Sequence, residues 1–256
     1  MPLVRTPAVV LRSYRYSETS KVVRLATREL GVQSAIAKGV FRPKSRFGAA
    51  LEFLAEGEAE LYFRESRDLH TLAAFDVVNL RRALATDVAR FGAAAALAEV
   101  MLKAAPPAAL PAAYDALVDV LDGLATAGSE AIDAAGVRGL WVLLAELGFG
   151  PSLERCARDG SPIDRAGPVA FSPAEGGALC AACAPPDPPT RLPTADYEAL
   201  CALTDRAQPL PTLDPAHAAA HRRLVARFVR HHVGEALIAL DSWERHTWAK
   251  LSPAAS

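Results

Sequence analysis

The sequence is short of the features that most directly reveal a protein's chemistry. Its 256 residues hold four cysteines, too few for a disulfide scaffold, and no apolar run approaches the roughly 18 residues of a bilayer-spanning helix. There is no G-x-x-x-x-G-K-[S/T], no H-E-x-x-H, no G-x-S-x-G and no H-x-E with a P-C-x-x-C, so no specific enzyme class is indicated. The opening stretch MPLVRTPAVVLRSYRYSE sets arginines through what would have to be the apolar core of a signal peptide or anchor. A chain that folds in water, works in the cytoplasm and has no membrane partner is expected.

Net charge is also nearly absent, at −1, but its distribution is not even. Residues 1–48 carry ten basic side chains (Arg5, Arg12, Arg15, Lys21, Arg24, Arg28, Lys38, Arg42, Lys44, Arg46) against Glu18 and Glu29. Residues 49–76 reverse the balance, with seven acidic side chains against Arg64 and Arg67. Electrostatic potential follows local charge, so the asymmetry points to a face that meets a polyanion.

What is present organises into two textures. Between residues 8 and 78 lie five short segments rich in Val, Leu, Tyr and Phe, separated by glycine or charged breaks; EGEAELYF alternates cleanly, with Ala59, Leu61 and Phe63 opposite Glu58, Glu60 and Tyr62. Five strands in so short a span fit a small closed barrel of the OB type. After Asn79 the period becomes helical. A helix is expected over 80–105 on the stripe Leu80, Leu84, Val88 and Phe91, a second from Pro111, and a third ending at Gly148. A short helix follows at TADYEALCALTD, and a long one is capped by Asp214 with Pro215 in its first turn and runs to about Leu251. Residues 150–193 are too rich in proline and glycine for regular structure and need some other staple. The expected fold class is α+β: an OB barrel at 1–79, then an all-helical part at 80–149 and 194–256 that carries a zinc-ribbon-like cysteine loop at 150–193.

Two places could carry chemistry. KGVFRPKSRFG (38–48) interleaves Lys38, Arg42, Lys44 and Arg46 with Phe41 and Phe47, and the preceding strands add Arg12, Arg15, Lys21, Arg24 and Arg28 with Tyr14 and Tyr16. Cations for phosphates beside aromatics for bases suit a single-strand groove; a solvated basic surface with both phenylalanines pinned to the core is the other reading. The second place is C-x-x-D, twenty residues, then C-x-x-C, formed by Cys156, Asp159, Cys180 and Cys183. Its spacing is that of a zinc ribbon with one thiolate replaced by a carboxylate, which leaves open a bound metal, a lost metal or a mere loop; any zinc here would be structural. Cys201 stands apart and reads as a small buried apolar residue. His217 and His221 share a helical face but have Arg222 and Arg223 beside them and no acidic partner near in sequence, so a solvated face is expected. The basic side of the same helix, Arg222, Arg223, Arg227 and Arg230, is likewise expected to face water.

These stretches together resemble one family. VVLRSYRYSETSKVVRLATRELG, the segment A-K-G-x-x-R-P-K-S-R, the pre-loop P-x-L-x-x-C, the loop end G-G-x-x-C-x-x-C and the late LVARFVRHHVGEAL occur in the order found in RecO proteins, bacterial mediators of DNA repair and recombination. The resemblance implies an N-terminal OB fold, a helical domain and, in many members, a zinc ribbon. It implies no enzymatic activity but binding of single- and double-stranded DNA, annealing of complementary strands, partnership with RecR, contact with the tail of single-strand binding protein, and help in loading RecA, in a cytoplasmic, nucleoid-associated setting. Asp159 departs from the zinc-binding members, which have cysteine there. Two other readings remain: an adaptor whose basic barrel binds acidic protein tails, and a metal-dependent hydrolase built on the cysteine cluster.

Overall fold

A computed structural model describes residues 2–48, 50–187 and 190–246. Strands β1 (Leu3–Arg15), β2 (Lys21–Thr27), β3 (Gly31–Ala37), β4 (Glu56–Tyr62) and β5 (Leu69–Asn79) close a barrel in the order β1-β2-β3-β5-β4. All neighbours are antiparallel except β3 and β5, which run parallel from Ser34↔Leu69 to Ala37↔Leu72. This is the expected OB-type barrel. Five strands enclose little space, and the interior is filled by small side chains such as Ala8, Ala35, Ala37 and Ala59 around Val10, Val23 and Leu61, with Phe47, Leu51 and Phe75 adding bulk. Strand β1 is buried on both faces between Ala8 and Leu11. Ala8 and Val10 point into the barrel while Val9 and Leu11 join the helical core, which is why AVVL reads as an unbroken apolar run.

The helical part departs from the expected pattern in its first element. Residues 82–85 form a 3-10 turn, and α1 (Val88–Ala104) begins only where the Asp87 carboxylate accepts a hydrogen bond from the Arg90 amide at 2.9 Å. The stripe of Leu80, Leu84, Val88 and Phe91 does not form one face, since Val88 is largely exposed. The buried stretch is Gly92–Ala98, which is covered all round. That makes α1 the central helix, packed by α2 (Pro111–Thr126), α3 (Ile132–Glu146), α5 (Pro215–Val233) and α6 (Ile238–Glu244). Its alanines let these neighbours come close: a Cβ built on Gly136 of α3 would lie 2.9 Å from the Ala93 Cβ. The short helix α4 (Thr194–Thr204) packs on α3.

The long final helix is also divided. Asp214 caps α5 as expected, accepting from the amides of Ala216 and His217 at 2.9 Å, but the chain breaks at Gly234 in a φ of 128°. Glu99 of α1 then accepts from the amides of Ala239 and Leu240 at 2.8 and 3.0 Å, satisfying donors that the first turn of α6 leaves open. The expected end near Leu251 lies outside the described residues.

Residues 150–193 are not wholly irregular. Strands β6 (Val169–Ser172), β7 (Gly177–Leu179) and β8 (Arg191–Leu192) form a small sheet, order β7-β6-β8. The prolines fall just outside these strands, at 168, 173 and 193, so they bound the sheet without interrupting it. Gly177 is required, because a Cβ there would stand 2.2 Å from the Ser152 carbonyl oxygen. Phe171 is fully buried against Trp141 of α3 and Phe228 of α5, and the Tyr197 hydroxyl of α4 donates to the Leu153 carbonyl. The cysteine segment is thus an insertion that shares the helical core.

Candidate nucleic-acid interface and metal centre

The cations of the barrel gather at one end of its β1–β2 side. Antiparallel register sets Arg12 opposite Arg24 and Arg15 opposite Lys21. Like charges facing each other across strands cost free energy unless an anion lies between them. The loop after β3 supplies Lys38, Arg42, Lys44 and Arg46. Val40 and Phe47 of that loop are buried in the barrel interior, and amide bonds from Arg42 to the Gly39 carbonyl and from Ser45 to the Arg42 carbonyl, both 3.1 Å, fold it into turns that leave these four cations exposed.

Phe41 joins the two groups. It is 46% exposed, with the Arg15 guanidinium 5.4 Å and the Lys21 ammonium 5.5 Å from its ring centre. Exposed Tyr14 and Tyr16 add two more aromatic surfaces on and just after the same strand. For Phe47 the second of the two sequence readings holds: at 2% exposure it is pinned in the core and cannot stack on a base.

Among the described residues, none of Arg12, Arg15, Lys21, Arg24, Lys38, Arg42, Lys44 and Arg46 enters an ion pair. Arg28 differs from them. Its guanidinium donates to both carboxylate oxygens of Asp115 on α2, at 2.8 and 2.9 Å, so it works as a strut between barrel and helices. The acidic residues that follow in sequence sit elsewhere on the barrel, where Glu58 and Asp76 lie 3.5 and 3.9 Å from Arg5.

The four candidate ligands of the cysteine segment do meet. One ligand atom from each of Cys156, Asp159, Cys180 and Cys183 lies within 4.8 Å of the others. Two tight turns bring this about: the Gly160 amide donates to the Cys156 carbonyl at 2.9 Å with Gly160 at φ 73°, and the amides of Cys183 and Ala184 donate to the Cys180 carbonyl at 3.1 and 2.8 Å. Ser161, which sequence reasoning passed over, orients the carboxylate. Its amide and hydroxyl donate to Asp159 Oδ1 at 2.9 and 2.7 Å, turning Oδ2 toward Cys183 Sγ at 3.3 Å and Cys180 Sγ at 3.6 Å.

These bonds, with those from the thiols, hold the Asp159 carboxyl well below the usual carboxylate range. The Asp159 carboxylate in turn pushes the Cys183 thiol up to about 12. Three sulfurs and one oriented carboxylate oxygen, all from the protein, fit a tetrahedral metal ion with no open position. The cluster could hold a metal as a structural staple, and its closed donor set gives the hydrolase reading no support.

The histidine pair is less solvated than its sequence surroundings suggest. His221 is buried, and Asp196, arriving from α4, lies 3.5 Å from its Nε2 and 3.9 Å from Nε2 of His217. Arg222 is buried against Asp133 of α3 at 2.5 Å, and Arg230 bonds Asp241 and Glu244 of α6. Only Arg223 and Arg227 are left as the exposed basic side. Partners distant in sequence decide these burials, and none was visible in the helix itself.

An OB barrel with an exposed cation cluster, joined to a helical body that carries a pair of cysteine knuckles, defines a class of OB-fold proteins with a ribbon-bearing C-terminal region. The family model for the N-terminal part of recombination protein O matches residues 1–81, and the model for its C-terminal part matches residues 85–241. The DNA repair protein RecO of Anaeromyxobacter sp. (strain K) is 38% identical over 254 residues, 93% of this chain and 95% of that protein. The RecO protein of Rubrobacter xylanophilus is 33% identical over 238 residues, 91% and 92% of the two chains. This chain belongs to the RecO family of DNA repair proteins.

Proposed function

We propose that the chain is a non-enzymatic repair mediator that grips single- and double-stranded DNA through the barrel unit at residues 1–79, and that it anneals complementary strands. It would act with RecR on strands coated by single-strand binding protein, helping RecA to load, in the bacterial cytoplasm at the nucleoid. The observation that carries DNA binding is the set of eight cations that enter no ion pair among the described residues, two of which, Arg15 and Lys21, lie over exposed Phe41; the partners are those that the family resemblance implies. Annealing needs no bond-making: cations that neutralise two strands at one surface reduce their repulsion, and base pairing supplies the free energy.

Charge reversal at Arg42, Lys44 and Arg46 together tests this reading. Affinity for single-stranded DNA should fall, and the slope of log affinity against log salt should flatten by about 2, or about 0.7 for each lost phosphate contact. Unchanged affinity at moderate salt would remove the loop from the interface. Affinity for acidic peptides without strand annealing in the parent protein would favour the adaptor.

We also propose that the knuckle pair holds structural zinc through Cys156, Asp159, Cys180 and Cys183. Sulfur suits zinc better than a hard carboxylate oxygen, so Asp159→Cys should tighten zinc retention by about tenfold or more in competition with a chromophoric chelator. DNA affinity should be unchanged in that variant. Equal zinc retention in parent and variant would show that Asp159 is not a ligand.

A further inference from the structure

The two knuckles are held against each other by bonds of the chain itself. The Ala157 amide donates to the Ala178 carbonyl, and the Ala178 amide to the Ser152 carbonyl, both at 2.8 Å. Arg158 reaches across with two guanidinium nitrogens, one donating to the Cys183 carbonyl at 3.0 Å and the other to the Glu175 carboxylate at 2.7 Å. Each of these bonds links residues 152–158 to residues 175–183, the two arms that carry the cluster. The three sulfurs therefore stay close whether or not a metal joins them.

The sulfurs are not equivalent. Cys156 is 3% exposed and shares its turn with Asp159, so it has no thiol partner there. Cys180 and Cys183 are half-buried, and they share one turn, closed by the Cys183 amide on the Cys180 carbonyl. Such a turn brings its first and fourth Cα atoms within about 7 Å, which overlaps the range of about 4.4–6.8 Å that a disulfide spans. Both thiols bond the same carboxylate oxygen, Asp159 Oδ2, at 3.6 and 3.3 Å, so the two sulfurs converge on one point. A ribbon with four cysteines has a thiol pair in each knuckle and can oxidise to more than one product. With Asp159 in the first knuckle, the second alone keeps a pair.

We propose that Cys180 and Cys183 are a modification site, at which a peroxide converts the metal-free thiol pair to a disulfide that a thiol reductant reopens. One thiolate attacks the peroxide and breaks its O–O bond, giving a sulfenic acid and a hydroxide that takes up the thiol's proton as water. The second thiol then displaces water from that sulfur as the S–S bond forms. Two thiols and one hydrogen peroxide thus give one disulfide and two waters, with two electrons passing from sulfur to the peroxide. Zinc held by the knuckle pair would bind the same two sulfurs, and the disulfide leaves it only Cys156 and Asp159, too few donors for a closed tetrahedral site. The oxidised and zinc-bound states therefore exclude each other. That exclusion rests on the zinc reading; formation of the disulfide does not.

The test uses the full-length protein, reduced and either stripped of metal by a chelator or loaded with zinc. Each form is exposed to hydrogen peroxide, its remaining thiols are alkylated, and the products are mapped by peptide mass spectrometry. In the metal-free protein, Cys180 and Cys183 should escape alkylation, Cys156 and Cys201 should not, and dithiothreitol should restore the first two. Zinc should slow the reaction about tenfold or more, and the disulfide form should take up no zinc until it is reduced. Cys156→Ser should oxidise at the rate of the parent, while Cys180→Ser should form no disulfide.

A disulfide mapped to Cys156 or Cys201 would overturn the proposal, as would oxidation straight to sulfinic acid with nothing for dithiothreitol to reverse. Equal rates with and without zinc would remove zinc from this cluster and leave the disulfide site standing, so the two readings can fail separately.

Discussion

Trp141→Ala is expected to lower the stability of the protein by about 3–5 kcal/mol, with a fall in melting temperature of roughly 10 °C for a chain of this size. Trp141 is fully buried on α3, its ring 5.0 Å from Phe228 of α5 and 6.4 Å from Phe171 of β6, both edge to face. Truncation would leave a cavity at the point where three separate pieces of chain meet. Collapse of that cavity is opposed from all sides, because the alanine-rich α1 and the close approach at Gly136 already hold the surrounding helices at short range. Trp141→Phe should cost much less, since the Trp141 indole N–H has no hydrogen-bond partner to lose. Because Phe171 belongs to the ribbon sheet, the alanine variant should also release zinc from the proposed knuckle site faster than the parent. A melting temperature within about 2 °C of the parent would show that the ribbon and the helices do not share one core.

The same junction shows why the sequence revealed some elements and not others. The barrel was legible because alternation in EGEAELYF and the glycine and charged breaks are local signals, and each strand appears close to its expected place. The candidate ligand cluster was legible for a similar reason, since knuckle spacing forces the side chains of each turn together and only the meeting of the two turns needed the fold. Phe47 could not be placed from the sequence, because a phenylalanine among four cations looks the same whether it points out or in. Its burial depends on closing the barrel over it. The burial of His221 and Arg222 depends on Asp196 and Asp133, which are 25 and 89 residues away in sequence. The Leu80–Phe91 stripe failed because α1 is covered on all sides and so has no apolar face to find.

Arg81→Ala is expected to be comparably damaging, at about 3–5 kcal/mol, through a different cause. The Arg81 side chain is 1% exposed at the seam between barrel and helices. It pairs with Glu56 of β4 at 2.5 Å and Asp122 of α2 at 2.7 Å, and donates to the Leu54 carbonyl at 3.3 Å. Its backbone occupies the left-handed region at φ 44°, a conformation costing about 1 kcal/mol or more for a residue with a Cβ. Retention of a strained arginine here implies that its side-chain bonds outweigh the strain. Alanine would keep the strain and leave Glu56, 20% exposed, with an uncompensated charge. Pairing Arg81→Met with Glu56→Gln removes the cation and its more buried partner and should recover most of the loss, because Asp122, 48% exposed, can be solvated when its partner is gone. A calorimetric melt distinguishes these outcomes. The alanine variant should separate barrel and helical transitions or shift a single transition down by about 10 °C, and the double variant should restore it. Gly31 supports the same seam, since a Cβ there would lie 2.2 Å from the Ala108 carbonyl oxygen, and Arg28 supports it through Asp115. The eight unpaired cations lie outside this seam, so Arg81→Ala should destabilise the protein while leaving the DNA affinity of the folded fraction unchanged. A parallel loss of affinity at temperatures where the variant is fully folded would mean that the helical part helps to set the barrel's DNA-binding surface.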